Sequence, residues 1–319
     1  MQKHAFLIAA HHEFELLEKL IILLDHPNHD IYLHVSQTAG DFDEERFRNL
    51  TKYSKVYFVQ RIKVAWGGFS QIRYEMTLLK AAVKGDYDYY HLLSGVDLPI
   101  KSMDYIHDFF EKNAGKELIH FCSPESTATP AIYKRVSVYH LLQEWVGREE
   151  GLLWFVEKVL IKLQEMIGVN RIRGHMDTIG YGCNWFSITH QLAYYLVERE
   201  EEINSRFRFC FCGDEVFLQT MFRESPFREN AYVYDETQPN SYQNCMRYVD
   251  WERGKPYVFR LEDFDDLISS PYLFARKFDI DVDREIIDRI FDYFTTGRQA
   301  NESGDPAGAG QMPKVPEDQ

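Results

Sequence analysis

The sequence predicts an α/β fold, a mostly parallel central sheet flanked by helices, from three observations. Strand-like and helix-like segments alternate through residues 1–110, which is the rhythm of βαβ units. The 319 residues are enough for a substantial hydrophobic core. The hydrophobic share of 45% and the aromatic share of 15% are those of an ordinary soluble protein, somewhat rich in Tyr and Phe.

The first half of the chain contains four short apolar runs, each followed by a segment with helical periodicity. In the first of these segments Leu16, Leu20 and Leu24 fall on one helix face. The predicted strands are residues 3–10, 31–35, 56–59 and 89–93, and the predicted helices are residues 14–24, 44–50, 71–83 and 103–112.

The second half contains further strands and helices and ends in a polar tail. The predicted strands are residues 117–121, 182–189, 207–211 and 248–251, and the predicted helices are residues 132–145, 152–167, 190–201, 213–222, 261–269 and 284–294. From residue 296 the chain is mostly Gly, Pro, Asp and Gln with almost no apolar residues, which predicts a disordered tail over 296–319.

The composition excludes several classes of protein. A formal net charge of −14 argues against nucleic-acid binding, because neutralising phosphates needs a basic face. The two commonest nucleotide-binding fingerprints are missing from the sequence, because the first strand is not followed by G-x-G-x-x-G and the chain has no P-loop. The first apolar run spans only residues 5–10, and no later window is long enough to cross a membrane, so we expect a cytoplasmic protein. The five cysteines lack metal-ligand spacing, which predicts buried free thiols.

A carboxylate stands directly after the fourth predicted strand, in the segment Ser94–Asp97. In open α/β sheets ligands bind at the carboxyl ends of the strands, so Asp97 is a candidate ligand contact. The alternative is that Asp97 caps the following helix. The string Asp86-Tyr87-Asp88 has the D-x-D form of many metal-binding transferases, but it precedes the strand, and we interpret it as a turn.

A second pair of carboxylates, Asp214-Glu215, lies where a predicted strand meets a helix. A carboxylate in that position can act as a general base if it is partly buried near an acceptor hydroxyl. The alternative is a helix cap with an acidic first turn, which suits the helix dipole.

Positive residues beside aromatic ones are conspicuous in such an acidic chain. Arg253 and the pair Arg276-Lys277 are candidates for an anionic ligand, and surface salt bridges are the alternative. Lys134-Arg135 lies among tyrosines, as in many sugar-binding surfaces, or forms the polar face of a helix.

Five motifs occur in a specific order, and together they resemble a known family. They are Trp66–Ser70 (WGGFS), Leu92–Lys101 (LLSGVDLPIK), Asn184–Ser187 (NWFS), Asp214-Glu215 and Phe274–Asp279 (FARKFD). The chain resembles the core-2/I-branching glycosyltransferases (glycosyltransferase family 14), which include the peptide O-xylosyltransferases. The resemblance runs from about residue 3 to 290.

The resemblance implies a GT-A fold with a UDP-sugar-binding half (1–115) and an acceptor-binding, catalytic half (116–295) in one compact unit. It implies inverting transfer of a sugar, commonly N-acetylglucosamine or xylose, from a UDP-sugar to a hydroxyl of a glycan acceptor. It also implies that no divalent metal or other cofactor is required, because positive residues take the place of the metal at the diphosphate.

The family's functional residues can be carried over by motif. The catalytic base falls on Glu215, and the diphosphate residues fall on Lys277 and Arg253. The remaining positions are Val35 and Arg61 for uridine, Asp97 for the donor sugar, and Glu125, Lys134, Arg135 and Trp185 for the acceptor.

The chain departs from many relatives in two respects. Ser36 stands where they have Asp after the second strand, which changes the donor site. The chain shows no membrane anchor and an odd number of cysteines, so we expect a compact, bacterial-type member. It would act in the cytoplasm at the inner membrane face, on a glycan or lipid-linked glycan.

The alternatives to this function are a metal-dependent transferase using Asp97 or Asp86 and Asp88, and a non-catalytic glycan-binding protein on the same fold.

Overall fold

A computed structural model describes residues 1–122, 129–173, 178–233 and 242–303. The strands are β1 (His4–Ala10), β2 (His29–Val35), β3 (Lys55–Phe58), β4 (Tyr89–Ser94), β5 (Leu98–Pro99), β6 (Leu118–Ile119), β7 (Phe186–Thr189), β8 (Arg247–Val249) and β9 (Phe274–Arg276). The α-helices are α1 (Phe14–Leu23), α2 (Glu44–Arg48), α3 (Ser70–Ala82), α4 (Met103–Lys112), α5 (Pro130–Ser137), α6 (Gln143–Val146), α7 (Leu152–Met166), α8 (His190–Glu198), α9 (Glu200–Phe207), α10 (Phe217–Glu224), α11 (Phe264–Ser269) and α12 (Arg284–Ser303).

The central sheet has six strands in the order β3-β2-β1-β4-β7-β6. β3, β2, β1 and β4 are parallel, whereas β7 and β6 join in antiparallel fashion. The predicted α/β fold is confirmed, and the sheet is mixed. Because β7 runs against β4, the residues that precede β7 lie beside the carboxyl end of β4. Both halves of the chain therefore contribute strands to one sheet.

A second sheet of three short strands, β5-β9-β8, was not predicted from the sequence. Pro99 of β5 is aligned with Phe274 of β9, and Leu98 with Ala275. A proline fits here because β5 is a two-residue edge strand. This small sheet carries the end of β9 to the segment that follows β4.

The central sheet is buried on both faces. Alternate residues of β1 point to opposite sides, so Phe6 and Ile8 join one hydrophobic cluster while Ala5 and Leu7 join the other. Fully burying a side chain such as Phe6 contributes about 1.5–3 kcal/mol. The strand ends are therefore held on a rigid layer, which is what a precise site needs.

Some predicted elements differ from the structure. Residues 207–211 are not a strand, because Phe207 ends α9 and the following backbone bonds to the α5 region, Phe211 N to Arg135 O at 2.9 Å. The predicted helix 132–145 is split into α5 and α6, since Val138 has an extended backbone. Helix α12 continues to Ser303, beyond the predicted end at residue 294, and residues 304–319 of the predicted tail lie outside the described part.

Candidate active site

The segment after β4 forms a tight turn around Asp97. The carboxylate is 1% exposed; it accepts hydrogen bonds from Ser94 N at 2.7 Å and from Ser94 Oγ at 3.0 Å. A side chain at Gly95 would come within 2.9 Å of Ala10 Cβ, so the turn packs directly on the end of β1. Ser102, rather than Asp97, caps α4, with Tyr105 N donating to its Oγ at 3.2 Å. Asp97 thus faces the carboxyl edge of the sheet.

Arg276, the last residue of β9, completes this turn. Its Nη1 donates to Asp97 Oδ1 at 2.9 Å and also to Ser94 Oγ. The guanidinium lies 4.8 Å from the centre of the Trp185 ring, just before β7. Its Nε is buried and has no hydrogen-bond partner among the residues the structure describes. The small sheet therefore places the Arg276 guanidinium at the edge where β1 and β4 end.

Lys277 adds a second cation at the same edge. Its Nζ is 3.8 Å from Asp279 Oδ2, and its side chain is partly exposed. The pKa of His11, directly after β1, is lowered to about 4, first by desolvation and then by His12, Arg276 and Lys277. Arg276 at the end of β9 and Lys277 directly after it thus lie close to the carboxyl end of β1.

Arg253 is engaged elsewhere. Its Nε donates to Asp250 Oδ2 at 2.5 Å and its Nη1 donates to Asp263 Oδ1 at 2.6 Å. The guanidinium also lies 4.1 Å from the centre of the Tyr257 ring. Both sides of the fork are therefore occupied by carboxylates, which is the salt-bridge alternative raised from the sequence.

Glu215 lies in a single 3₁₀ turn, Gly213–Glu215, that precedes α10. Its carboxylate forms an ion pair with Arg135 of α5, so the structure brings two predicted site residues together. Arg135 in turn lies 5.3 Å from the centre of the Tyr181 ring. Glu215 remains about one-third exposed, which leaves the carboxylate reachable from outside.

Asp214 is buried beneath Glu215 and belongs to a polar network that the sequence did not reveal. Gln71 Nε2 of α3 donates to Asp214 Oδ2 at 2.8 Å. Burial, and then the charge of Glu215, raises the pKa of Asp214 to about 7. Glu75 of α3 is fully buried and accepts from Asn184 Nδ2 at 3.3 Å; burial and then Asp214 raise its pKa well above the usual range.

Members of this network adjoin Glu215 at one end and the Arg276 region at the other. Glu215 follows Asp214, and Asn184 precedes Trp185, against which Arg276 is stacked. Glu75 is the residue that could have indicated this network from the sequence, because it is an acid on the otherwise apolar face of α3.

The predicted uridine residues also meet. Arg61 Nε donates to Val35 O at 3.2 Å, and its Nη2 donates to Ser36 O at 2.9 Å and Gly40 O at 2.8 Å. The guanidinium therefore fixes the loop after β2. Buried His34 accepts from Ile62 N at 3.2 Å, and its pKa is lowered to about 4 by burial and then by Arg61.

Arg135, the ion-pair partner of Glu215, also lines a cleft of about 510 Å³. Its walls combine aromatic and basic side chains, chiefly Trp66, Lys134, Arg135, Arg148, Trp154 and Lys158. Lys134 is ion-paired with Glu165 of α7. Among the other predicted acceptor residues, Trp185 lies against Arg276, and Glu125 lies outside the described residues.

Two groups of side chains in the described ranges have the geometry to hold a metal ion. Asp88 is at the far end of the sheet, where its Oδ2 accepts from Lys3 N at 2.7 Å, so the D-x-D string is remote from the site. His4, His29 and His107 cluster at that same far end, at the amino ends of β1 and β2. Glu13, Asp279 and Asp281 cluster near Lys277 and could hold a divalent cation.

No helix within the described ranges is long and apolar enough to cross a membrane.

Comparison with known proteins gives the chain a family. It is 24% identical over 297 residues to Xylosyltransferase 2 of Rattus norvegicus, covering 88% of this chain and 32% of the relative. It is 24% identical over 288 residues to Xylosyltransferase sqv-6 of Caenorhabditis briggsae, covering 82% and 33%. The chain thus spans about a third of the length of these relatives.

The solved apo structure of mouse Xyloside xylosyltransferase 1 aligns with 86% of this chain and 97% of its own, with a TM-score of 0.38 and 11% identity. The model of the family described as Core-2/I-Branching enzyme matches residues 4–266. Because that match covers most of the sequence, the chain belongs to the Core-2/I-Branching enzyme family.

Proposed function

We propose that the protein is an inverting glycosyltransferase that moves a sugar from a UDP-sugar to a hydroxyl of a glycan acceptor. The observation that carries this proposal is the connected site at one sheet edge, with the Glu215 carboxylate on one side and the Arg276-Lys277 cations on the other. A base and an anion-binding pocket are the two parts that an inverting displacement requires.

Glu215 is proposed as the general base. Arg135 orients its carboxylate through the ion pair between the two side chains. In the proposed step the acceptor oxygen bonds to the anomeric carbon, its proton moves to Glu215, and the bond to UDP breaks on the opposite face. A positioned base of this kind contributes roughly 10²–10⁴-fold to the rate.

Arg276 and Lys277 are proposed to bind the diphosphate, and Arg276 takes the role that the sequence had given to Arg253. Arg276 offers a buried Nε without a partner among the described residues, whereas Arg253 is bonded to Asp250 and Asp263. Asp97 then acts as a positioning residue that holds the guanidinium in place. Neutralising the departing diphosphate stabilises the transition state, so a metal and other cofactors are not required.

The other assignments follow from their places at the site. Val35, with Arg61 bracing its loop, forms the uridine end. The cleft of aromatic and basic side chains, with Lys134 and Arg135 in its wall, receives the acceptor. N-acetylglucosamine and xylose are the first candidate sugars, because the relatives are named xylosyltransferases and the family is named for branching enzymes.

We also propose a cytoplasmic location at the inner membrane face, with a glycan or lipid-linked glycan as acceptor. All five cysteines are free thiols, and four of them are buried. Unpaired thiols are typical of a reducing compartment.

A donor screen tests the proposal. Purified protein is incubated with UDP-N-acetylglucosamine, UDP-xylose, UDP-glucose or UDP-galactose, and release of UDP is measured with and without a panel of glycan acceptors. We expect one donor to be turned over in preference to the others. Tight UDP binding without turnover of any donor would instead favour the non-catalytic glycan-binding alternative.

The acidic cluster Glu13, Asp279 and Asp281 favours a second candidate, a metal-dependent transferase. Turnover that disappears in excess chelator and returns with a divalent cation would identify that candidate.

A further inference from the structure

Helix α7 differs from an ordinary surface helix because most of its large apolar side chains are exposed. Of its 15 residues only Glu157 and Ile161 are buried. Large apolar side chains point outward instead, with Leu152 79%, Phe155 60% and Met166 73% exposed. Apolar surface normally lies inside, and a contiguous exposed patch of this kind marks an interaction site.

The outward residues form one stripe along the helix. Leu152, Val156, Val159 and Leu163 recur at the spacing that places side chains on a single helix face, and exposed Ile167 follows just beyond the end. No carboxylate interrupts this stripe. Glu157 faces the protein and accepts from Leu142 N at 3.0 Å, and Glu165 is ion-paired with Lys134 and Lys162.

The charges that border the stripe are positive. Lys158 and Lys162 follow each other on one flank, and both are exposed. Glu149 and Glu150 lie before the helix, separated from it by Gly151. In a chain with 50 acidic and 36 basic residues, an acid-free apolar stripe flanked by lysines is complementary to a surface that is apolar inside and anionic outside.

We propose that α7 docks the protein on an anionic lipid surface, with its apolar stripe in the boundary between headgroups and acyl chains. The helix cannot span the bilayer, because 15 residues rise only about 22 Å. Its lysines reach the headgroups while their stems cover apolar surface. Exposed Trp145, in the neighbouring helix α6, suits the same interface.

Docking would also orient the acceptor cleft. Trp154 and Lys158 of α7 line that cleft together with Arg135, the partner of Glu215. A protein held by the outer face of α7 therefore opens its cleft near the headgroups. This last step rests on the proposed function, whereas docking itself does not.

Vesicle binding tests the proposal with the full chain. Co-sedimentation is measured with vesicles of phosphatidylglycerol and phosphatidylcholine, and with phosphatidylcholine alone. We expect binding to the anionic vesicles, at least tenfold weaker for the double variant Phe155→Ser/Leu163→Gln. Lys162→Gln should weaken it roughly fivefold, the effect of one lysine near an anionic surface.

Val282→Gln, at an exposed apolar residue outside α7, is the matched control and should bind like the unmodified protein. Both altered residues of the double variant are exposed, so it should fold normally and keep its rate of donor hydrolysis in solution. Loss of vesicle binding with hydrolysis intact would separate docking from catalysis.

Two results would overturn the proposal. One is the absence of binding to anionic vesicles, or equal binding by the unmodified protein and the double variant. The other is a dimer in light scattering that the double variant converts to a monomer, because a second copy would then cover the stripe.

Discussion

Replacing Arg276 by Ala should damage the diphosphate site selectively. Charge-assisted hydrogen bonds contribute about 1.5–3 kcal/mol each, so a loss of about 2 kcal/mol weakens UDP binding roughly 30-fold. Uridine, which lacks the phosphates, should bind within about twofold of the unmodified protein. Arg276→Lys keeps the charge but not the fork that reaches Asp97. Its UDP affinity should therefore lie between those of the unmodified protein and Arg276→Ala.

The same change also affects folding, and the magnitude can be anticipated. Asp97 is buried, and removing Arg276 takes away the cation bonded to its carboxylate while its bonds to Ser94 remain, at a cost of about 3 kcal/mol in the free energy of unfolding. Arg253→Ala is the matched control, since it also removes an arginine bound to carboxylates, one of which, Asp263, is buried. Arg253 is nearly half exposed, so that change should cost about 1 kcal/mol.

Calorimetric titration with UDP and with uridine, below the unfolding temperature of every variant, gives the comparison. A loss of UDP affinity in Arg253→Ala as large as that in Arg276→Ala would refute the assignment of Arg276 to the diphosphate. That assignment is equally refuted if Arg276→Ala weakens UDP and uridine to the same extent.

Three further outcomes are expected. Lys277→Ala should weaken UDP about tenfold and uridine hardly at all in the same titrations, and equal losses would place Lys277 away from the diphosphate. Transfer measured in excess chelator should continue at its normal rate, whereas a strict metal requirement would abolish it. His34 is buried with its pKa lowered to about 4, so the unfolded chain binds the proton more readily between about pH 6.5 and 4, and stability falls as the pH falls through that window. Between pH 7.5 and 5 the free energy of unfolding, measured by urea denaturation, should therefore fall by about 1–2 kcal/mol less in His34→Gln than in the unmodified protein. The same pH dependence in both proteins would contradict the lowered pKa of His34.

Local patterns were sufficient for the parallel half of the fold. Each of β1 to β4 is a short apolar run, and α1 and α4 carry clear helical periodicity, so local signals agree with the tertiary structure there. The run Phe207–Phe211 misled because it alternates like a strand although its backbone bonds to α5.

The site was harder to predict because its parts meet through long-range pairing. Asp97 could be placed at a strand end from the sequence, but its partner Arg276 is 179 residues away and arrives through a three-residue strand. Nothing local distinguishes Arg276 from Arg253, since both lie among aromatic and acidic neighbours. Their hydrogen bonds do distinguish them, because Arg253 is occupied by two carboxylates.

Buried polar groups were largely invisible in the sequence. Glu75 and Gln71 occupy α3 with ordinary helical spacing, and their contacts with Asn184 and Asp214 come from other parts of the chain. The outward apolar stripe of α7 was likewise not predicted, because a sequence pattern does not say which face of a helix the protein covers.

Glu215→Gln is the sharpest test of the proposed role of Glu215 as the general base. The amide keeps the shape of the side chain and its contact with Arg135 but cannot take the acceptor proton. Glu202→Gln, which alters an exposed acid paired with Arg206, is the control. The measurement is the single-turnover rate of transfer from the preferred UDP-sugar, with UDP affinity determined in parallel. We expect unchanged UDP binding and a rate lower by roughly 10²–10⁴-fold for Glu215→Gln alone; a rate close to that of the control would contradict the assignment of Glu215 as the base.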